Sequence, residues 1–368
     1  MQLDSYQRRD EILDSKRIFE FDPSGMMRVV DEWDQQIEEG LAFLEEPLKL
    51  DFDLDEDIDN IVVNGMGGSA IAGDIGWLAL RGFVRKPFCV VRNYNLPLYT
   101  NPRTLVISIS YSGNTEETLW GYMQAINHGA KTIAISSGGS LKELADWKGL
   151  LHIPVREGCI APRAALGYLL CSFLKPFAYS NPNIKEALHN DLSDAFVELK
   201  RGKRKFNFFL EKEKNLAKRV ASSFAENLPV IFAESEFTQP VARRWQTQIN
   251  ENGKALCHVA SFPELDHNEI VPLVAGWEWS NRTTLLCLKD REEHPRNALR
   301  GELTNEMLAG KVREFFLIRS TGDYPLARAL SLVQMGDYVS VYLALMRRHD
   351  PTRIEPVDDL KRKLALLK

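Results

Sequence analysis

The chain has 368 residues, 44% hydrophobic and 26% charged, enough for two packed domains or one large one with a sizeable core. A formal net charge of −5 argues against non-specific binding to nucleic acid or to an anionic membrane surface. No uninterrupted apolar run reaches the roughly 18 residues that span a bilayer, and the start, MQLDSYQRRDEILDSKR, is too polar for a signal peptide, so a cytoplasmic protein is expected.

Residues 1–50 read as a helical extension, because VVDEWDQQIEEGLAFLEE spaces its apolar residues at helical intervals. The acidic DFDLDEDID that follows reads as a solvated lead-in rather than a metal site. From there strands and helices alternate. NIVVNG, PFCVVRNY, TLVISIS and KTIAISS read as strands, and SAIAGDIGWLALRGF, TEETLWGYMQAINHGA and SLKELADWKG as helices. That alternation predicts a doubly wound parallel sheet over 51–180. A charged, helix-forming stretch, 181–228, links it to a second α/β half over 229–350. There PVIFAES, TTLLCLKD and EFFLIRS read as strands, and PVARRWQTQINENG and the strongly apolar PLARALSLVQMGDYVSVYLALMR as helices. Residues 351–368 close the chain as a helix with basic residues late, where they suit the helix dipole. The expected fold class is α/β, two doubly wound parallel-sheet domains with helical extensions at both termini. The cysteines, Cys89, Cys159, Cys171, Cys257 and Cys287, form no CxxC pair and read as core thiols.

Two loops of the first half carry chemistry. In doubly wound sheets, ligands bind at the carboxyl ends of the strands, where helix N-termini present free N–H groups. In GMGGS, Gly65, Gly67 and Gly68 allow a tight turn and a close approach to an anion, and Ser69 adds a hydroxyl. In SYSGNTEET, Ser110, Ser112 and Thr115 supply three more hydroxyls around Gly113, with Thr115 at a helix N-cap position. Together they suit one phosphate monoester, held by neutral donors and two helix dipoles without lysine, metal or cofactor. A triphosphate is not indicated, since GxxxxGK[ST] is absent. A competing reading comes from Gly65-x-Gly67-x-x-Ala70, which matches the dinucleotide fingerprint. The next strand ends VVRNYN, where Arg92 suits a 2′-phosphate, so an NADP reductase is the rival; it leaves the hydroxyl loop unexplained.

GMGGSAIAGD with SYSGNTEET resembles the sugar isomerase (SIS) domain, and APRAALGYLL, INENGK and PELDHNEI match further motifs of the bifunctional phosphoglucose/phosphomannose isomerases. The motifs run in order from about residue 60 to the terminal LKRKL. The resemblance implies two SIS-type domains and a homodimer with active sites built between subunits. It implies interconversion of glucose 6-phosphate and/or mannose 6-phosphate with fructose 6-phosphate, without metal, through ring opening and a cis-enediol. Gly67, Gly68 and Ser69 would lie on the phosphate side, and Ser110, Ser112 and Thr115 would bind the phosphate. Glu251 matches the base that moves a proton between C2 and C1, His267 the ring-opening histidine that the family takes from the partner subunit, and Lys361 the lysine near the ring oxygen. Arg163 matches the cation that meets charge on the enediolate. Taken singly, Glu251 reads as a helix-end surface acid, His267 as a solvated loop residue and Lys361 as a surface lysine. Two departures stand out: Asp266 precedes His267 where the family often has a second histidine, and RIEPVDD before Lys361 matches poorly. The alternatives are a SIS-type regulator, for which the acidic N-terminal segment lacks a DNA-binding signature, and another SIS enzyme acting on amino-sugar phosphates.

Overall fold

The computed structural model describes residues 16–276 and 278–367; the stretch 1–15, part of the expected N-terminal helical extension, lies outside the described residues. In chain order the elements are α1 (Met26–Asp31), α2 (Trp33–Glu45), β1 (Asn60–Gly65), α3 (Gly67–Leu80), β2 (Phe88–Val91), β3 (Thr104–Ile109), α4 (Glu116–Asn127), β4 (Lys131–Ser136), α5 (Gly139–Lys148), β5 (Leu151–Pro154), α6 (Leu166–Ser180) and α7 (Pro182–Phe206). They continue with α8 (Leu216–Glu226), β6 (Leu228–Ala233), α9 (Gln239–Glu251), β7 (His258–Ser261), α10 (Ile270–Ala275), β8 (Thr283–Lys289), α11 (Pro295–Leu308), β9 (Glu314–Arg319), α12 (Pro325–Met346) and α13 (Glu355–Ala365). The fold is α/β with two all-parallel sheets, as the alternation predicts. β5, β7 and α11 are elements that the sequence reading does not contain.

One compact unit consists of residues 32–202 and 320–332. Its five-stranded sheet has the order β2-β1-β3-β4-β5. β1 and β3 are buried along nearly their whole length, which explains why they read as continuous apolar runs rather than alternating ones. α3 is apolar on all sides because it is buried almost throughout, with Ala70, Ile71, Ala72 and Ile75 at or near zero exposure. α2 packs on α6, and Gln36 of α2 spans the turn before α6: its Nε2 donates to Ala164 O at 2.7 Å and its Oε1 accepts from Gly167 N at 3.0 Å. Residues 320–332 join this unit although far away in sequence. Carboxylates of α7 hold them: Asp194 accepts from Asp323 N (2.6 Å) and Tyr324 N (3.1 Å), and Asp191 caps α12 by accepting from Leu326 N (2.9 Å) and Ala327 N (2.8 Å), orphan donors of its first turn.

The other unit holds the described residues up to 31, 203–319 and 333 onward. Its sheet has the order β7-β6-β8-β9. One core cluster joins Val230, Phe232, Phe262, Leu265, Leu273, Leu285 and Leu308, each worth roughly 1.5–3 kcal/mol of burial. α9 is tied to α12 by a buried ion pair. Arg244 Nε and Nη2 donate to Asp337 Oδ1 and Oδ2 at 3.1 and 2.8 Å, with both side chains 1% exposed. Among the described residues α12 alone is long and apolar enough to cross a membrane, and it is a buried core helix here.

Candidate active site

In the β1–β5 unit the chain leaves β1 toward β2 on one side and reaches β3 on the other, so the order reverses between β1 and β3. The register sets Asn64 opposite Ser108 and Gly65 opposite Ile109, which puts the loops after β1 and β3 side by side. α3 and α4 therefore begin at the same edge of the sheet, at the switch point where such sheets bind ligands. Met66 and Thr115 occupy their N-cap positions, and neither gives a side-chain cap.

A direct bond joins the two loops: Tyr111 N donates to Ser69 Oγ at 3.2 Å. Within the second loop, Ser110 Oγ donates to Thr115 Oγ1 at 3.0 Å. Ser69 and Ser110 are buried, whereas Ser112 is exposed and accepts from Asn114 N at 3.3 Å. Tyr111 anchors the hydroxyl loop from behind: its phenol donates to Arg156 O (3.1 Å) and accepts from Cys159 N (2.9 Å). Burial, with the Cys159 contact, pushes its pKa up to about 12, so it stays neutral. Sequence reasoning did not single out Tyr111, because its role needs the segment after β5. At Gly113 the backbone is left-handed, φ +69°, and a Cβ there would lie 1.8 Å from Gly138 O. Leu141 N donates to Gly113 O at 2.9 Å, fastening the loop to the start of α5.

Arg163 belongs to the same place. It lies in the short turn Pro162–Ala165, is 3% exposed, and presses its backbone on the first loop. A Cβ on Gly68 would come within 3.2 Å of Arg163 Cα and 3.5 Å of Pro162 O, so the missing side chain is what lets the turn approach. Gly67, Gly68, Ser69, Ser110, Ser112, Thr115 and Arg163 thus lie in one unit, on neighbouring loops. Arg92, the candidate for a 2′-phosphate, is paired with the Asp74 carboxylate of α3.

Glu251, His267 and Lys361 lie in the β6–β9 unit. Glu251 ends α9 and is half-buried. The end of that helix is fixed by its neighbours. Asn252 is fully buried and donates to Ser340 Oγ of α12 at 2.9 Å. Lys254, at φ +52°, donates its ammonium to Glu251 O and to Arg353 O (2.6 Å), tying the end of α9 to the segment before α13. His267 ends the turn Glu264–His267 and is exposed. Lys361 is exposed on α13, whose apolar side chains Val357, Leu360 and Leu364 are also exposed. Two other histidines of this unit lie elsewhere: His258 is half-exposed with Nε2 3.8 Å from Glu269 Oε1, and His294 caps α11 by accepting from Arg296 N at 3.1 Å. All five cysteines are free thiols, three of them buried.

A glycine turn and a hydroxyl loop, joined at the switch point of a parallel sheet with an arginine buried against them, define an α/β protein with a candidate site for a phosphate monoester. The comparisons agree. The SIS domain model matches residues 56–159, and the model of the bacterial phospho-glucose isomerase C-terminal SIS domain matches residues 213–364. A bifunctional phosphoglucose/phosphomannose isomerase of Caldicellulosiruptor bescii is 41% identical over 85% of this chain and 91% of its own length. One of Aquifex aeolicus is 35% identical over 83% and 90%. A solved structure of a hypothetical protein from Thermus thermophilus has the same fold, with a TM-score of 0.71 at 16% identity over 98% of this chain and 96% of that one. The chain belongs to the bifunctional phosphoglucose/phosphomannose isomerase family.

Proposed function

We propose that this protein interconverts glucose 6-phosphate and mannose 6-phosphate with fructose 6-phosphate. Family membership supports the reaction class. The observation that carries the site is the loop pair joined by Tyr111 N and Ser69 Oγ, with Ser110 and Thr115 bonded inside the second loop, beside Arg163. The phosphate is held by the hydroxyls of Ser69, Ser110, Ser112 and Thr115 and by the N-termini of α3 and α4. Gly67 and Gly68 let the backbone approach it.

Closed sugar rings do not enolise, so ring opening comes first. His267, from the partner subunit of a homodimer, exchanges the ring-opening proton, since a neutral imidazole carries one donor and one acceptor nitrogen. Lys361 supports the charge at the ring oxygen. Glu251 then carries the proton between C2 and C1, and the Arg163 guanidinium meets the charge that grows on the enediolate. The cis-enediol is planar at C2 and keeps no memory of configuration there. Reprotonation on either face yields glucose or mannose phosphate. These residues supply the acid, base and cation that the reaction needs, so we assign it no metal or redox cofactor. The cytoplasm is the assigned compartment, glycolysis and gluconeogenesis the context, and nucleic acid and membranes are not assigned partners. Fructose 6-phosphate incubated with enzyme, with and without EDTA, is expected to yield both aldose phosphates equally well. Absence of mannose 6-phosphate contradicts the dual activity, and loss of turnover in EDTA contradicts metal independence.

A further inference from the structure

The turn that carries His267 is held at the two residues before it. Leu265 is 1% exposed and enters the cluster of Phe262, Leu273 and Leu308. The Asp266 carboxylate is gripped by α11: Arg300 Nη1 donates to Oδ2 at 3.0 Å and Thr304 Oγ1 donates to Oδ1 at 2.8 Å. A separate donor on each oxygen fixes the carboxylate's rotation as well as its position. The helix that carries the donors is itself held. Thr304 is 2% exposed, and between the two Gly301 sits on the buried Glu234 carboxylate, where a Cβ would come within 2.9 Å of Oε1. That carboxylate accepts from Cys287 Sγ at 3.1 Å and pairs with Lys289 Nζ at 3.0 Å. The anchor therefore runs from the ends of β6 and β8, through α11, to Asp266. His267 is the next residue, its Cα about 3.8 Å from that of Asp266.

We propose that Asp266 is a positioning residue for the sugar isomerisation, holding His267 in the attitude that ring opening needs. The proposal rests on the reading of His267 as the ring-opening group. Proton exchange requires heavy atoms within about 2.6–3.2 Å. His267 is the last residue of a single four-residue 3₁₀ turn, too short to fix it alone, and the grip of Arg300 and Thr304 on Asp266 supplies that accuracy.

The test separates ring opening from proton transfer. Asp266→Ala, Thr304→Val and, as reference, His267→Ala are assayed with [2-²H]glucose 6-phosphate, and exchange between the two anomers is followed by NMR. For Asp266→Ala, kcat is expected to fall about 10- to 100-fold, as for an ångström-scale misplacement. Its anomer exchange is expected to fall in step, and the C2 isotope effect to shrink toward unity as ring opening becomes limiting. Thr304→Val, which keeps the shape of the side chain, is expected to move all three readouts the same way by less. A fall in kcat with the isotope effect and anomer exchange unchanged marks a merely structural residue and overturns the proposal. If His267→Ala loses anomer exchange and the Asp266 and Thr304 variants keep it, the positioning role alone fails. If His267→Ala keeps it, the assignment of His267 fails and the positioning role with it.

Discussion

Replacing Gly113 by alanine tests the hydroxyl loop at its tightest point. The new Cβ would lie 1.8 Å from Gly138 O and 2.8 Å from Gly138 C, against backbone that has no rotamer to escape into. An ordinary carbon–oxygen contact is about 3.3 Å, so the loop must yield by roughly 1.5 Å. That exceeds the tolerance of a hydrogen bond. A bond to a charged group is worth about 1.5–3 kcal/mol, so losing two from Ser110, Ser112 and Thr115 removes about 3–6 kcal/mol. At about 1.4 kcal/mol per tenfold, kcat/KM falls roughly 10²- to 10⁴-fold. The left-handed φ adds about 1 kcal/mol of strain. Gly149→Ala isolates that component: φ is +64° there and nothing lies within 4 Å of the added carbon. The assay is kcat/KM for fructose 6-phosphate, with the dissociation constant of inorganic phosphate by calorimetry. Gly149→Ala is expected to lower the melting temperature and keep both constants. Gly113→Ala with phosphate affinity and kcat/KM within about twofold of the parent would refute the assignment of this loop to phosphate.

Three further outcomes follow from the same geometry. Asp337→Ala leaves the buried Arg244 guanidinium without its carboxylate and is expected to cost about 3–5 kcal/mol, whereas Arg244→Met with Asp337→Leu recovers most of it; hydrogen exchange in α9 reads both. Burial, and then the neighbouring Glu234 carboxylate, raise the Glu293 pKa from 4.5 to about 7 although Lys289 opposes them. The folded state therefore holds a proton that the unfolded chain has released, and this group's contribution to stability declines as pH rises from about 4.5 to 7. Melting curves of Glu293→Gln are expected to show a smaller decline across that window, and an equal decline contradicts the sign. Ser110→Ala removes a buried hydroxyl and is expected to raise KM about tenfold, more than Ser112→Ala, whose hydroxyl is exposed; equal effects in steady-state kinetics contradict the ranking.

Much of the fold is legible because its central strands carry strong local signals. NIVVNG and TLVISI are buried on both faces and bounded by turn residues, so composition alone marks them. β5 and β7 are different. Each has four residues, sits at a sheet edge and is only partly buried, and each includes a polar histidine, so no run or alternation announces it. α11 buries only Gly301, Thr304 and Leu308 and shows little apolar periodicity in PRNALRGELTNEML. The Asp191 cap on α12 acts across 135 residues, and local patterns carry no trace of it. The site divides similarly. Glycine and hydroxyl spacing reveals the two loops, and the motifs of a family resemblance point to Arg163, Glu251, His267 and Lys361. The approach of Arg163 to Gly68, the Tyr111 anchor and the grip on Asp266 are long-range contacts that only the folded chain displays.

Glu251→Gln bears most directly on the claim that a carboxylate at the end of α9 shuttles hydrogen between neighbouring carbons. The amide keeps the size and hydrogen-bonding capacity of the acid and removes the base. With glucose 6-phosphate and mannose 6-phosphate in a coupled assay, turnover is expected to fall by at least about 10²-fold for both, while anomer exchange continues. Turnover equal to that of the parent enzyme on either aldose phosphate contradicts it.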